Sequence, residues 1–509
     1  MGSGFAGSLI AMIARRLGHS VVLLERGKHP RFAIGESSTP LSNLLLEDIA
    51  TRYNLPRISP LSKWGSWQEN YPHIACGLKR GFTFYHHHLG RPTIPDPDRL
   101  NQLLVAASPH NHIADTHWFR SDFDEMLVHE AKNIGVGYFD QVKLNSFVDD
   151  GNAVTLSGVK DEQAVTFRAR FVVDAAGPRG FLHHALNLSE SALPNYPSTQ
   201  ALFSHFSNVK RLNDVLPCST SDTPPYPIDD AAVHHIFDGG WIWVLQFNNG
   251  VTSAGVAATT EASSRLQLAN GEAAWKQLLK SIPALQDQFA NAKTERPFTH
   301  VEHLSFLSET VYGKRWALLP SAAGFVDPLL STGFPLALLG ITRLGNILEN
   351  DWNTSHFHTS LQNYAEQTRD EILATSRLLS GLYASMNNFP AFAALSLLYF
   401  AAASFSETAR RLKKPHLATS FLLHDHPVFG PACSNMVARS HHLRTKEESN
   451  SFIEDVLRAI EPIDVAGLCN RQRHNWYPVD AGDLIRSAHK VDATHDEIVH
   501  LLQSCGFYQ

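Results

Sequence analysis

The chain opens on Gly2-Ser3-Gly4-Phe5-Ala6-Gly7, a G-x-G-x-x-G turn, and no other feature of its 509 residues restricts the fold as strongly. The first glycine permits a tight turn, the second lets backbone approach a pyrophosphate, and the third lets a helix pack on a sheet. Residues 5–17 carry helical apolar spacing and stop at Gly18, and SVVLLE (20–25) reads as a buried parallel strand. Glu25 follows Gly7 by 18 residues, the distance at which an acid hydrogen-bonds an adenosine ribose. Turn, helix and strand are the middle and end of a βαβ unit. Its first strand has no residues here, because Met1 stands where that strand should end. Either translation begins further upstream or another segment takes the strand's place. NAD and FAD share this fingerprint, which does not choose between them.

Downstream, SDFDEMLVHEAKNI (121–134) reads as a helix, and VTFRARFVVDAAG (165–177) as two strands ending in a tight turn. LKRGFTFYHH (78–87) alternates like a strand. From 199 to 260 the signals are β: AVHHIF, Asp238-Gly239-Gly240, WIWVLQF, Asn249-Gly250 and VTSAGVAA predict antiparallel hairpins over an active site. Beyond 345 the chain turns helical, with a helix at 358–385 and a capping box, Thr494-x-x-Glu497, opening the last one. The expected domains are 1–345, binding the dinucleotide with an interleaved β-sheet (about 70–115 and 190–305), and a helical region at 346–509. The uncharged stretch from Phe389 to Ser406 contains Pro390, Ser396 and Ser404 and reads as a buried or lid-forming helix, with no stable membrane span.

A balance of 43 Lys+Arg against 49 Asp+Glu, with no long basic run, argues against nucleic acid as a partner. Cys76, Cys218, Cys433, Cys469 and Cys505 form no C-x-x-C pair, and the N-terminus has no secretory pattern, which points to the cytoplasm. His86-His87-His88, His110 with His112, and His441-His442 lack zinc-ligand spacing and read as solvent-facing or substrate-loop histidines, so no metal is expected.

RFAIGESSTP (31–40), Arg120-x-x-Phe123-Asp124, VVDAAG (172–177) and SAAGFVDPLLSTG (321–333) occur in the order in which similar blocks recur in FAD-dependent monooxygenases and reductases. With Gly35-Glu36-Ser37, Lys79 in CGLKRGF, the WIW run and the PLLSTG loop, the chain resembles the flavin-dependent halogenases over residues 1–345. It is nearest the branch that contains the monodechloroaminopyrrolnitrin halogenase. The resemblance implies an α/β fold with a Rossmann-like parallel sheet, its first strand truncated, an interleaved antiparallel β substrate region and a helical C-terminal region. It implies FAD held by Gly2, Gly4, Phe5, Ala6, Gly7, Glu25, Gly35, Glu36, Ser37, Arg120, Asp174, Gly177, Gly324, Asp327 and Pro328.

In such halogenases reduced FAD and oxygen convert chloride or bromide to hypohalous acid, which travels to a lysine that hydrogen-bonds it or carries it as a haloamine. Lys79 matches that lysine, and an ammonium can polarise a hypohalous acid. A cation on a strand edge, with Arg80 a solvated neighbour, is the plainer reading of the same residue. Thr332 and Gly333 match the loop whose backbone N–H groups hold the halide, and Ser331 a serine that bonds to the lysine. Trp241 and Trp243 match the tryptophans that part flavin from substrate and suppress direct hydroxylation. Three departures stand out: Leu245-Gln246 replaces Ile-Pro after the WIW run, Pro320-Ser321 replaces Gly-Asp, and Leu330 stands where tryptophan halogenases carry a Glu.

The implied activity is halogenation of an electron-rich aromatic such as a phenol or pyrrole in antibiotic or other secondary metabolism. The substrate is free or carrier-bound, and FADH2 comes from a separate flavin reductase because no second fingerprint is present. A flavin monooxygenase or reductase of the same fold, or a non-catalytic flavoprotein, stays open beside it.

Overall fold

The computed structural model describes residues 1–92, 96, 98–216 and 223–508, so Cys218 lies outside the described residues. Helix Phe5–Arg16 follows the glycine turn as the sequence predicts, and strand Val22–Leu24 pairs in parallel with Gly137–Phe139. A second ladder pairs Val172–Asp174 in parallel with Trp316–Leu318. Met1 and Gly2 lie between the two ladders: the Gly2 N–H donates to the Leu24 carbonyl (2.8 Å), and the Ala175 N–H donates to the Met1 carbonyl (2.9 Å). The parallel layer therefore consists of two pieces joined by two residues, and no other segment fills the first strand's length among the described residues. Gly2 is needed there in a strict sense, since its φ is 81° and a Cβ would meet the Ala175 carbonyl oxygen at 2.6 Å.

Helices Arg120–Asn133 and Gly333–Asn350 pack on Phe5–Arg16. A run of rings ties them together: Trp67 to Phe123 (5.5 Å), Phe123 to Trp118 (4.2 Å), Trp118 to Phe334 (4.3 Å) and Phe334 to Phe5 (5.0 Å). Each such pair contributes about 0.5–1.5 kcal/mol beyond its buried area.

The β region is a nine-stranded sheet in which Ala232–Phe237, Gly240–Gln246 and Val251–Thr259 form the expected hairpins, with Gly239 and Gly250 at φ 79° and 80°. It is mixed rather than wholly antiparallel. Gly81–His86 joins Ala232–Phe237 in parallel, and Trp476–Tyr477 from the C-terminal region joins Gln102–Ala106 in parallel. Alternation sorts the sheet's two faces. Trp241, Trp243 and Leu245 face the main core, while Ile242 and Val244 face a second core under helices Thr260–Leu266, Glu272–Lys280 and Pro283–Gln288.

The run at 78–87 is not one strand. It breaks at Arg80, so that Cys76–Lys79 pairs with Asp115–Trp118 in a small separate ladder. Arg80 is buried rather than solvated, and its guanidinium donates to the carbonyls of Ser108 and Pro109 and to Asn111 Oδ1. The histidines also differ from expectation. His87 is buried and shares a hydrogen bond with His235 (2.9 Å), and His110 bonds the Gly506 carbonyl oxygen.

The C-terminal region packs helices Phe357–Ala384, Phe389–Arg411, Phe429–Ser440 and Lys446–Ile460 into the main core without a break. Phe389–Arg411 is long and apolar enough to cross a membrane, but 83% of its apolar window is buried inside the protein, which makes it a core helix. The capping box at Thr494 and Glu497 is formed as read, and a second one occurs at Thr445 and Glu448.

Candidate active site around Lys79

The glycine turn, Glu25, Arg120 and Gly35 come together. Glu25 accepts from the Ser3 N–H (2.9 Å) and the Gly27 N–H (2.7 Å). Burial opposes its ionised form, but Arg31 at 3.4 Å and these N–H groups outweigh it and hold the carboxyl below its ordinary range. Arg120 grips Asp124 with two parallel hydrogen bonds (2.9 and 2.8 Å) and donates to the Gly35 carbonyl oxygen (2.9 Å). These residues fit FAD. A Cβ on Gly4 would meet guanidinium nitrogens of Arg120 and Arg31 at 3.3 and 3.4 Å and the Asp124 carboxylate at 3.6 Å, so two arginines, each paired with a carboxylate, border a helix start that has no side-chain cap. That is the environment a pyrophosphate requires. Gly177 and Gly333 face space with nothing within 4 Å of a Cβ. Ala6 and Gly7 are buried in the first turn of the helix, which closes directly on Gly2.

Three of the expected cofactor residues, Asp174, Gly324 and Asp327, are also engaged within the protein itself. Asp174 accepts from the N–H groups of Ala176 and Leu182 (2.8 Å each) and so orders the turn after its strand. Gly324 is packed against Phe306 and Ile372, whose atoms lie within 3.1 Å of where its Cβ would be. Asp327 accepts from Trp241 Nε1 (3.1 Å), the hydroxyls of Tyr383 (2.9 Å) and Tyr196 (3.1 Å), and the Leu329 N–H (2.9 Å). It thereby fixes Trp241 against the loop that follows it. Pro328, next in line, is half-buried.

That loop carries backbone strain. Leu330 and Ser331 have φ 63° and 55°, after which Thr332 returns to φ −71°. Non-glycine residues in the left-handed region cost about 1 kcal/mol or more each, and such strain gathers at working sites. Among the described residues, the N–H groups of Thr332 and Gly333 donate to no backbone carbonyl. Consecutive N–H groups across a left-to-right-handed step form an anion nest.

Lys79 is fully buried at the end of its strand. The GES loop runs beside strand Asp115–Trp118, with the Trp118 N–H donating to the Glu36 carbonyl (2.6 Å) and the Ser38 N–H to the Thr116 carbonyl (3.2 Å). This brings Ser37 Oγ to 2.9 Å from Lys79 Nζ, which also donates to the Ser38 carbonyl. The lysine's hydroxyl partner is therefore Ser37, not the expected Ser331, which sits in the strained loop at 329–333. The Glu36 side chain turns to His205 (2.9 Å). Lys79 Nζ lies 3.8 Å from the centre of the Phe82 ring. Burial drives the ammonium below the usual lysine range, against the charge of Asp115. His117 and His234 are pushed down to about 3, by burial first and by Lys79 second, so both imidazoles are neutral.

Asp115 was not legible as a site residue. It is the cross-strand partner of Lys79, is buried, and lines a cavity of about 220 Å³. Phe82, Tyr399, Ala403 and Glu407 line the same cavity, the last three from the long buried helix. A strand of only four residues, DTHW, gives little local signal, and only its register against CGLK reveals the pair. On the strand Gly240–Gln246, Trp241 and Trp243 share a face with ring centres 5.6 Å apart, and Gln246 continues the ladder opposite Thr252 where the family's proline would interrupt it. Among the described residues no group of His, Cys, Asp or Glu is arranged to hold a metal.

A glycine turn opening a helix, two successive unpaired backbone N–H groups and a buried lysine beside a small cavity fit an enzyme that binds a dinucleotide cofactor. The chain belongs to the tryptophan halogenase family, whose model matches residues 106–388, more than half its length. It is 29% identical over 405 residues to the tetracycline 7-halogenase of Kitasatospora aureofaciens, covering 77% of this chain and 70% of that one. It is 25% identical over 482 residues to the monodechloroaminopyrrolnitrin halogenase of Pseudomonas fluorescens, covering 92% and 82%. The crystal structure of halogenase PltM with phloroglucinol and FAD superposes at a TM-score of 0.80 with 22% identity, over 93% of this chain and 98% of that one, and shares its fold. The chain is a flavin-dependent halogenase whose cofactor is FAD and whose co-substrate is a halide.

Proposed function

We propose that this halogenase chlorinates or brominates a one-ring phenol or pyrrole, with Lys79 presenting hypohalous acid to the ring. The observation that carries the reading is the buried Lys79 set behind the Phe82 and Asp115 wall of a cavity of about 220 Å³. FAD, when bound and reduced, would supply with molecular oxygen as the oxidant the chemistry that turns halide into hypohalous acid. Gly2, Gly4, Gly7, Glu25 and Arg120 hold that cofactor, and the Thr332 and Gly333 N–H groups hold the halide. Lys79 as an ammonium has three N–H donors, of which Ser37 and Ser38 take two. The third is the one that polarises the hypohalous acid. Trp241, fixed by Asp327, and Trp243 wall the flavin side from the ring. The enzyme works in the cytoplasm, as its reduced described cysteines suit, and takes FADH2 from a separate reductase.

Incubation with a flavin reductase, NADH, FAD, bromide and a panel of phenols and pyrroles, free and carrier-bound, tests this. The expected result is brominated product that falls by about a thousand-fold or more in Lys79→Ala. Hydroxylated product without bromide incorporation would remove the halide role of the nest and the role of Lys79 together.

A further inference from the structure

We propose that Asp115 binds the substrate directly, accepting a hydrogen bond from an O–H or N–H borne by the ring to be halogenated. The inference rests on the reading of the site given above and adds the side chain that selects and orients the ring. Asp115 Oδ1 accepts from Asn43 Nδ2 at 2.8 Å, whereas Oδ2 has no partner although it is shut away from solvent. The register puts Asp115 directly opposite Lys79, yet the two close no ion pair, because Lys79 Nζ is held by Ser37 and Ser38 instead. A buried carboxylate oxygen without a donor costs several kcal/mol of lost solvation, and a ligand bearing a donor offsets that cost.

The surroundings narrow the ligand. Phe82, Val105, Tyr399, Phe400 and Leu468 make the lining mostly apolar, and the Glu407–Arg411 pair (2.8 Å) neutralises itself on the helix above. Burial raises the Asp115 carboxyl to about 7 against the pull of Lys79, and its Oδ2 is left without a hydrogen-bond donor in a mostly apolar chamber sized for about one ring. An anionic ligand is disfavoured by the carboxylate. A neutral phenol or pyrrole presents the required donor, and hydrogen bonding of that donor to an anion feeds electron density into the ring that an electrophilic halogen attacks.

The test separates binding from turnover. Titration calorimetry on the FAD-loaded, non-turning-over protein is performed with resorcinol and with its dimethyl ether, 1,3-dimethoxybenzene. The wild type is expected to bind resorcinol about 10- to 100-fold more tightly than the ether, the range of one charge-assisted hydrogen bond. In Asp115→Asn, which keeps the size but presents an amide, the preference collapses to within about three-fold, and Asp115→Glu recovers part of it. Unchanged FAD affinity in both variants shows that the fold is retained. Equal binding of the two ligands by the wild type, or a preference that survives in Asp115→Asn, overturns the proposal. The reading it rests on fails separately. Asp115-dependent binding without any brominated resorcinol under turnover removes the halogenation reading and leaves the Asp115 contact standing.

Discussion

At the scale of single residues, Asp327 shows how one carboxylate orders a tryptophan and the loop that follows it. Four donors converge on its carboxylate, and one of them is the indole of Trp241, which lies in the main core. Burial nevertheless dominates and raises its carboxyl from the ordinary value to about 6, with the four hydrogen bonds pulling the other way. The native state therefore holds its proton more tightly than the unfolded chain does, so this group's contribution to stability is fully present near pH 4 and below. It is lost as pH rises through 6, by roughly 3 kcal/mol for a shift of that size. Asp327→Asn does not titrate. The melting temperature of the variant is expected to gain on that of the wild type as the buffer goes from pH 4 to pH 7, whatever constant offset the lost charge introduces. A difference in melting temperature that stays flat across that range would show that Asp327 is ionised in both states throughout.

At the scale of elements, the loop at 329–333 and the strand of Lys79 were legible to different degrees. The glycine turn, its helix and the strand to Glu25 were readable because each is local: spacing, a stop at Gly18 and an acid at the right distance lie within 25 residues. The hairpins at Gly239 and Gly250 were readable for the same reason. The break at Arg80 was not, because it is caused by Ser108, Pro109 and Asp230, which lie far away in sequence. The Lys79–Asp115 pairing is non-local in the same way. In the loop at 329–333 the motif was visible but the strain was not, since Leu and Ser give no hint of left-handed backbone. The open space at Gly333 makes a clean prediction. Its φ is not positive and a Cβ would meet nothing within 4 Å, so Gly333→Ala is tolerated by the fold and stabilises it by about 0.5 kcal/mol. The same methyl intrudes on the nest, so the bromide KM is expected to rise by about ten-fold or more while thermal stability holds. A normal bromide KM in a fully folded variant would remove the halide from this loop.

At the scale of the whole molecule, the cavity beside Asp115 is assembled by packing between regions that sequence motifs treat separately. Its floor comes from Phe82 and Asp115 in the N-terminal half, its roof from Tyr399, Ala403 and Glu407 on the buried helix, and its far wall from residues 465–468 and 477–484. A second cleft, of about 640 Å³, shares Lys63, Ile113 and Cys505 with it. In the proposed reading the aromatic ring reaches Lys79 from this cavity and the oxidant from the other side. A block on the ring's side should leave oxidant production intact. Ala403 is half-buried on an exposed-to-cavity helical position, and Ala403→Phe adds a ring of its own to a chamber that holds about one. In that variant bromination of phenols is expected to fall by about a hundred-fold, while free hypobromous acid, trapped with monochlorodimedone in the same assay, is produced at the wild-type rate or above. Parallel loss of both products would mean that the helix at 389–411 supports the oxidising half of the site as well, and that the two approaches to Lys79 are not separate.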